Sequence, residues 1–364
     1  MFIISTPFVP MKRLRNIYLT NMENGLRKAT LTCSLLLVAF TGCEKGIDYA
    51  SSPTTVFEAL WQELDEKYCF FDYKAAEYGL DWDEVHRRYA AQVNDSLTNR
   101  QLFDVLSAMV GELRDGHTNL IGDYYTSYYT SFYSDYPSNF DGSLISHLLA
   151  GREYDSGDVA YGILPDSVGY MYIGSFSSSF STSLISELFR YFADCKGLIV
   201  DVRSNGGGDL DLEQSLVARF MTEESMQVGY MCHKVGKAHD AFSAPIPVYV
   251  ERDTALTTWT KPVCVLANRH SYSATNDFVR NMRLLPQVTI VGDRTGGGSG
   301  LPMSTELPNG WSLRYSSSPM FDIDMNHTEF GIDPDVFVAL ADSDRQRGVD
   351  TIIEAARRII HEEE

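Results

Sequence analysis

Basic residues are scarce in this chain: 30 lysines and arginines stand against 49 aspartates and glutamates, giving a formal charge of −19 over 364 residues. Such a field repels polyanions, which excludes nucleic acid as a partner. Lysine runs out altogether after Lys261. Cysteine is equally sparse. Cys33, Cys43, Cys69, Cys195, Cys232 and Cys264 form no C-x-x-C pair and no regular spacing, which argues against a structural zinc site and against a disulfide framework. Cys195 and Cys264 adjoin apolar runs and are expected in the core. Familiar catalytic strings are missing too, with no G-x-x-x-x-G-K-[ST], H-E-x-x-H, G-x-G-x-x-G or G-x-S-x-G. Phosphate cradles, zincin proteases and ordinary α/β-hydrolases lose their support. Neither a metal nor an organic cofactor is implied, and no repeat of solenoid period occurs.

Apolar material, by contrast, is ample: 44% hydrophobic and 12% aromatic residues can fill about two domains. Near the start, Lys12, Arg13, Arg15, Arg27 and Lys28 precede an apolar run from Ala29 to Phe40. The run is too short to span a bilayer comfortably and is patterned like a signal peptide. It ends in Phe40-Thr41-Gly42-Cys43, which resembles the lipobox of bacterial lipoproteins, where a cysteine is acylated and becomes the new N-terminus. Residues 1–42 therefore read as a lipoprotein signal peptide, of ordinary length if counted from Met22. Cys43 reads as the lipidated residue and 43–53 as a polar tether. A lipid-anchored place in the cell envelope, periplasmic or outer-membrane, is the expectation.

Beyond the tether Val56, Leu60, Leu64 and Tyr68 recur at near-helical spacing, as do Leu102, Val105, Met109 and Leu113. Residues 54–116 read as a helical N-terminal domain. Thr98 with Gln101 forms a capping box for its last helix, which puts Asp115-Gly116-His117-Thr118 on the following loop. Residues 124–136 are a tyrosine and serine run, either a partly covered loop or a wall of a peptide cleft, since tyrosine offers flat area at low entropy cost. From Val168 short apolar strands alternate with helices: strands over 169–173, 197–202, 263–267 and 288–291, helices over 182–192, 210–220 and 275–283. That grammar predicts an α/β core. An amphipathic helix over 349–360 closes the chain.

Three places carry chemistry. The strand 197–202 runs into Arg203-Ser204-Asn205-Gly206-Gly207-Gly208, whose bare amides suit an oxyanion hole or simply a tight turn. The strand 263–267 leads to Ser273-Ala274-Thr275-Asn276, where a serine entering a helix is either a nucleophile beside a helix N-terminus or a plain N-cap. His117 waits on its loop. His270 is nearer in sequence, but three residues before the serine on one turn it is poorly placed to reach the hydroxyl.

In order along the chain, DGHT (115–118), VGYMYIGSF (168–176), KGLIVDVRSNGGG (196–208), SYSATNDF (271–278), TIVGDRTGGG (289–298) and FGIDPDV (330–336) together resemble the S41 serine peptidases. That family includes C-terminal processing peptidases and the tricorn protease core. The resemblance spans roughly Phe57 to the C-terminus. It implies a crotonase/ClpP-like catalytic core over 117–364 and a serine endopeptidase that cleaves proteins or peptides through an acyl-enzyme. The stretch from His117 to Val168 is too short for a PDZ domain.

By the same resemblance the family's serine before A-x-E falls on Ser273, with Asn276 in place of the glutamate. The oxyanion donors fall on the amides of Ala274 and of Gly206 or Gly207. One branch uses a lysine base in G-E-x-T-x-G-K, but here Gly298 occupies that place, and an arginine cannot substitute because it holds its proton at any neutral pH. The histidine branch matches His117, an imidazole expected to titrate near neutrality. An acidic residue shortly before G-x-x-P-D, the third member, falls on Glu329, with Thr328 one residue away and Asp115 as a local alternative. Two rivals share the fold: an acyl-CoA enzyme, which needs no serine, and a catalytically inactive member that binds peptide or lipid.

Overall fold

The computed structural model describes residues 51–149, 154–155, 158–177 and 179–362. The expected signal peptide, Cys43 and the first part of the tether lie outside the described residues. Four helices open the described chain. In α1 (Pro53–Lys67) the Ser52 hydroxyl accepts the Thr55 amide, and Pro53 sits in the first turn where its missing N–H costs nothing. Next come α2 (Phe71–Tyr78) and α3 (Trp82–Ala90), then α4 (Asn99–Gly111), which starts on the expected Thr98–Gln101 capping box.

After β1 (Asn119–Ile121) the chain forms α5 (Gly142–Leu148), β2 (Tyr154–Asp155), β3 (Val159–Ile163), β4 (Val168–Ile173) and α6 (Thr182–Tyr191). It continues through β5 (Gly197–Asp201), α7 (Leu210–Val217), β6 (Ser225–Met231), β7 (Ile246–Glu251) and β8 (Val263–Ala267). The last part comprises α8 (Ala274–Met282), β9 (Val288–Gly292), β10 (Gly300–Glu306), β11 (Ser312–Phe321), β12 (Val336–Phe337) and α9 (Thr351–Glu362).

Two sheets result. The larger has the order β12-β9-β8-β5-β4-β3-β2, parallel from β12 to β4 and antiparallel beyond. Its central strands β5 and β8 are buried along their whole length. Their unbroken apolar runs, GLIVD ending in one aspartate and VCVLA, are what a parallel sheet covered on both faces requires. Leu188, Leu216 and Phe278 of α6, α7 and α8 cover one face, and Ile352, Ile353 and Ala356 of α9 the other. Cys195 and Cys264 are buried in these cores. The smaller sheet is antiparallel, β1-β11-β6-β7, with β10 also paired to β11.

Leu60, Leu64, Leu106 and Met109 of the helices over 54–116 share one core with Leu307, Trp311, Leu313 and Tyr315. The helical layer is built onto β11, and residues 51–364 form a single unit.

Arg203, just past β5, is fully buried and clasped by Asp201 at 2.6 Å and Asp350 at 3.0 Å, with a further bond to the Asn139 carbonyl at 3.2 Å. It ties the glycine loop to the start of α9. Arg203→Met leaves two carboxylates facing each other without a cation, and is expected to cost about 3–5 kcal/mol of folding stability, read as a lowered urea midpoint; an unchanged midpoint would contradict this role.

Candidate active site

His117 Nε2 and Ser273 Oγ lie 2.9 Å apart although 156 residues separate them in the chain. Ser273 stands between β8 and α8 with φ 60° and ψ −127°, and its side chain makes no capping bond, so it is not a plain N-cap. A non-glycine residue holds such a conformation only when its surroundings impose it. Here the Ser273 amide donates to the Gly297 carbonyl at 2.9 Å, the Tyr272 amide to Asn205 at 3.1 Å, and the Ser271 hydroxyl to Val202 at 2.8 Å. The hydroxyl of Ser273 is left pointing at the imidazole.

Asp115 builds the histidine loop. Its Oδ1 accepts the His117 amide at 2.7 Å, and its Oδ2 accepts the hydroxyls of Thr118 at 3.0 Å and Ser316 at 2.8 Å. Arg314 of β11 donates to the His117 carbonyl at 3.2 Å. The imidazole packs edge-on against the Tyr272 ring, 5.0 Å between centres, and is only 5% exposed. Burial lowers its pKa to about 4, and nearby Arg314 adds to the effect while Asp115 opposes it. The expectation of a near-neutral titration is corrected by this burial. At neutral pH the ring is uncharged, with a lone pair available to the hydroxyl proton.

Glu329 does not contact the imidazole, contrary to its expected place as third member. Its Oε1 pairs with Lys74 at 2.8 Å and its Oε2 accepts the Ser299 amide at 3.1 Å. Burial raises its carboxyl to about 7 despite the lysine. Thr328 is no substitute, since it accepts a bond from Asn276 at 3.1 Å. Asp115 lies closest, but it holds the backbone of the loop and not the ring. Among the described residues His117 Nδ1 is buried without a hydrogen-bond partner, with the Gly300 carbonyl near enough to favour the protonated ring. Lys74, which sequence reasoning missed, comes from α2, where its spacing three after Phe71 on the buried face was the available signal.

The glycine loop meets the turn of Ser273 at Gly207, where a Cβ would come within 2.8 Å of the Ser273 Cβ. The Gly207 amide already donates to Asn205 Oδ1 at 2.9 Å. A cleft of about 430 Å³ opens on Ser273 and His117, and the backbones lining it include Gly208 and Ala274 but neither Gly206 nor Gly207. With the Gly207 amide engaged by Asn205, Gly208 is the glycine of the loop that lines the cleft beside Ala274. His270 stacks on Tyr133 with centres 4.2 Å apart and takes no part in the pair.

The model of peptidase family S41 matches residues 167–338, and that of the tricorn protease C1 domain matches 50–111. A Parabacteroides merdae protein, solved as a candidate peptidase, is 50% identical with a TM-score of 0.80, covering 85% of this chain and 97% of that one. The chain belongs to peptidase family S41. A CtpA-like serine protease of Staphylococcus haemolyticus is 24% identical over 176 residues, 48% of this chain and 34% of that protein. The chain thus spans about a third of that curated relative's length. Mature CPAF, solved with lactacystin, is 12% identical with a TM-score of 0.64 over 85% of this chain and 97% of that one, a likeness of fold alone. The α/β fold is that of S41 serine-type peptidases.

Within this S41 chain the missing lysine has a steric counterpart. A Cβ on Gly298 would come within 2.3 Å of the Tyr272 ring, and its φ is +79°, so Tyr272 fills the space that a side chain there would need. Asn276, in place of the family's glutamate, ties two loops together by accepting the Thr295 hydroxyl at 2.7 Å and donating to Thr328.

Lys74→Met strands the Glu329 carboxylate in the core and is expected to cost about 3–5 kcal/mol near pH 8. Glu329 then binds a proton more tightly folded than unfolded, so the native state holds the extra proton and stability falls as pH rises. The deficit should shrink towards pH 5, and Lys74→Met/Glu329→Leu should recover most of it at pH 8. Urea melts at both pH values check this, and a deficit independent of pH would contradict it.

Proposed function

We propose that the chain is a serine endopeptidase that cleaves proteins or peptides through an acyl-enzyme, with Ser273 as nucleophile and His117 as general base. The observation that carries this reading is the 2.9 Å contact between an uncharged, buried imidazole and a hydroxyl that no other group engages among the described residues. In the first half-reaction Ser273 Oγ bonds to the substrate's carbonyl carbon while His117 Nε2 takes its proton. The tetrahedral oxyanion accepts hydrogen bonds from the amides of Ala274 and Gly208, the former at the positive end of α8. His117 then gives the proton to the leaving amine as the C–N bond breaks. Water repeats the sequence to release the acyl group.

The imidazolium formed on the way is helped by Asp115. Burial alone would raise the Asp115 pKa, but Lys74, His117 and its hydrogen bonds hold it below the ordinary value, so a negative charge persists beside the ring. An inactive binder would have no use for the constrained backbone at Ser273. We place the protein in the cell envelope through a lipid on Cys43, on the strength of the basic residues and apolar run that precede it.

Ser273→Ala should abolish both peptide hydrolysis and labelling by a fluorophosphonate, and His117→Ala should lower kcat by about a thousandfold or more. Catalysis needs the neutral ring, and burial makes that ring hard to protonate, so kcat/KM should fall only as pH drops through about 4. A pH-rate profile measures this. Labelling that persists in Ser273→Ala, or an acid limb near an ordinary imidazole value, would count against the assignment.

A further inference from the structure

The aromatic run 124–136 does not line the cleft that opens on Ser273 and His117 but borders a separate cavity and packs against the back of the nucleophile loop, nearly residue for residue. Phe132 stacks on Tyr272 with centres 4.4 Å apart, Tyr133 on His270 at 4.2 Å, and the Arg269 guanidinium sits 4.2 Å above Tyr136. Tyr124 and Tyr128 are 87% and 74% exposed, while Tyr125 packs on Phe103 and under Arg100, so it is the second half of the run that meets the loop of Ser273.

Phe132 reaches further than its stacking partner. A Cβ on Gly116 would come within 2.8 Å of its ring, and a Cβ on Gly296 within 2.7 Å. Only glycine at both positions leaves room for it. Each of the three segments that the ring touches is one peptide bond from the catalytic pair or its support. Gly116 precedes His117, Tyr272 precedes Ser273, and Gly296 precedes Gly297, whose carbonyl accepts the Ser273 amide at 2.9 Å.

From this juxtaposition we infer that Phe132 is a positioning residue, a rigid wedge that keeps His117 Nε2 and Ser273 Oγ in line for proton transfer. The inference rests on the peptidase reading of that pair. Ser273 holds an unfavourable backbone conformation that persists only where neighbours over-determine it, and the histidine loop has no covalent tie to the nucleophile loop. A flat ring with two rotatable bonds joins them at little entropic cost. Displacement by about 1 Å at such a pair costs on the order of a hundredfold in rate.

The test compares Phe132→Ala, Phe132→Leu and Tyr128→Ala with wild type, each normalised to folded protein by circular dichroism. Phe132→Ala is expected to lower kcat and the fluorophosphonate labelling rate about ten- to a hundredfold with KM little changed, because the ring does not line the cleft. Phe132→Leu should recover part of the loss, and also serves if the alanine variant fails to fold; Tyr128→Ala should match wild type. Unchanged kcat per folded molecule in Phe132→Ala overturns the inference, as does a raised KM with kcat kept, which would make the segment a substrate wall. If wild type itself resists the probe, the peptidase reading falls, and the His117 titration followed by NMR still decides about the wedge. A pKa moving up from about 4 in Phe132→Ala, as water reaches the ring, upholds it; an unmoved value overturns it.

Discussion

The 2.9 Å contact between His117 and Ser273 is held by two fixed backbones, and burial of the ring keeps it neutral. Ring and hydroxyl come from opposite ends of the architecture. Ser273 is delivered by the carboxyl end of a parallel strand, the usual place for a site in an α/β sheet. His117 is delivered by a loop between a helix and the smaller sheet. The helical layer must therefore dock on β11 before the pair exists, and this explains why the helices share a core with Leu313 and Tyr315 instead of folding as a separate body.

The docking is specified by buried charge. Lys74 and Glu329 join α2 to the segment before β12, and Asp115 joins the histidine loop to β11 through Ser316. Such groups add little net stability, because desolvation consumes most of what pairing returns. Their effect is to make a wrong registration expensive: a helix layer shifted by one turn would leave Lys74 or Glu329 charged and alone. Arg203 does the same for the glycine loop against α9. The His117–Ser273 pair is thus located by polar contacts whose loss is costly, and apolar packing fills the space around them.

The parallel sheet was legible because burial on both faces writes continuous apolar runs, and strands over 197–202 and 263–267 end within one residue of their predicted positions. The smaller sheet was not. Strand β10 carries Pro302 with a bulge beside it, and its exposed residues interrupt any alternation. Ser273 and His117 were legible through the ordered motifs that surround them. The oxyanion loop was legible as a loop but not to the residue, since which amide is free depends on the Asn205 side chain that takes the one on Gly207. Lys74 could not be found by looking for a base, because it serves a carboxylate and not the nucleophile.

Glu329 shows how a motif can mark the right neighbourhood and the wrong contact. Its carboxylate holds the Ser299 amide at 3.1 Å, and the next residue, Gly300, turns its carbonyl towards His117 closely enough to favour the protonated ring, though short of a hydrogen bond in the resting geometry. The acidic residue therefore reaches the imidazole at one remove, by fixing the strand whose carbonyl faces it. A carbonyl dipole stabilises an imidazolium less than a carboxylate does, and it leaves the resting ring neutral even when buried. That combination suits a base that must be uncharged at rest and charged only during the reaction, with Asp115 behind the loop supplying the remaining field.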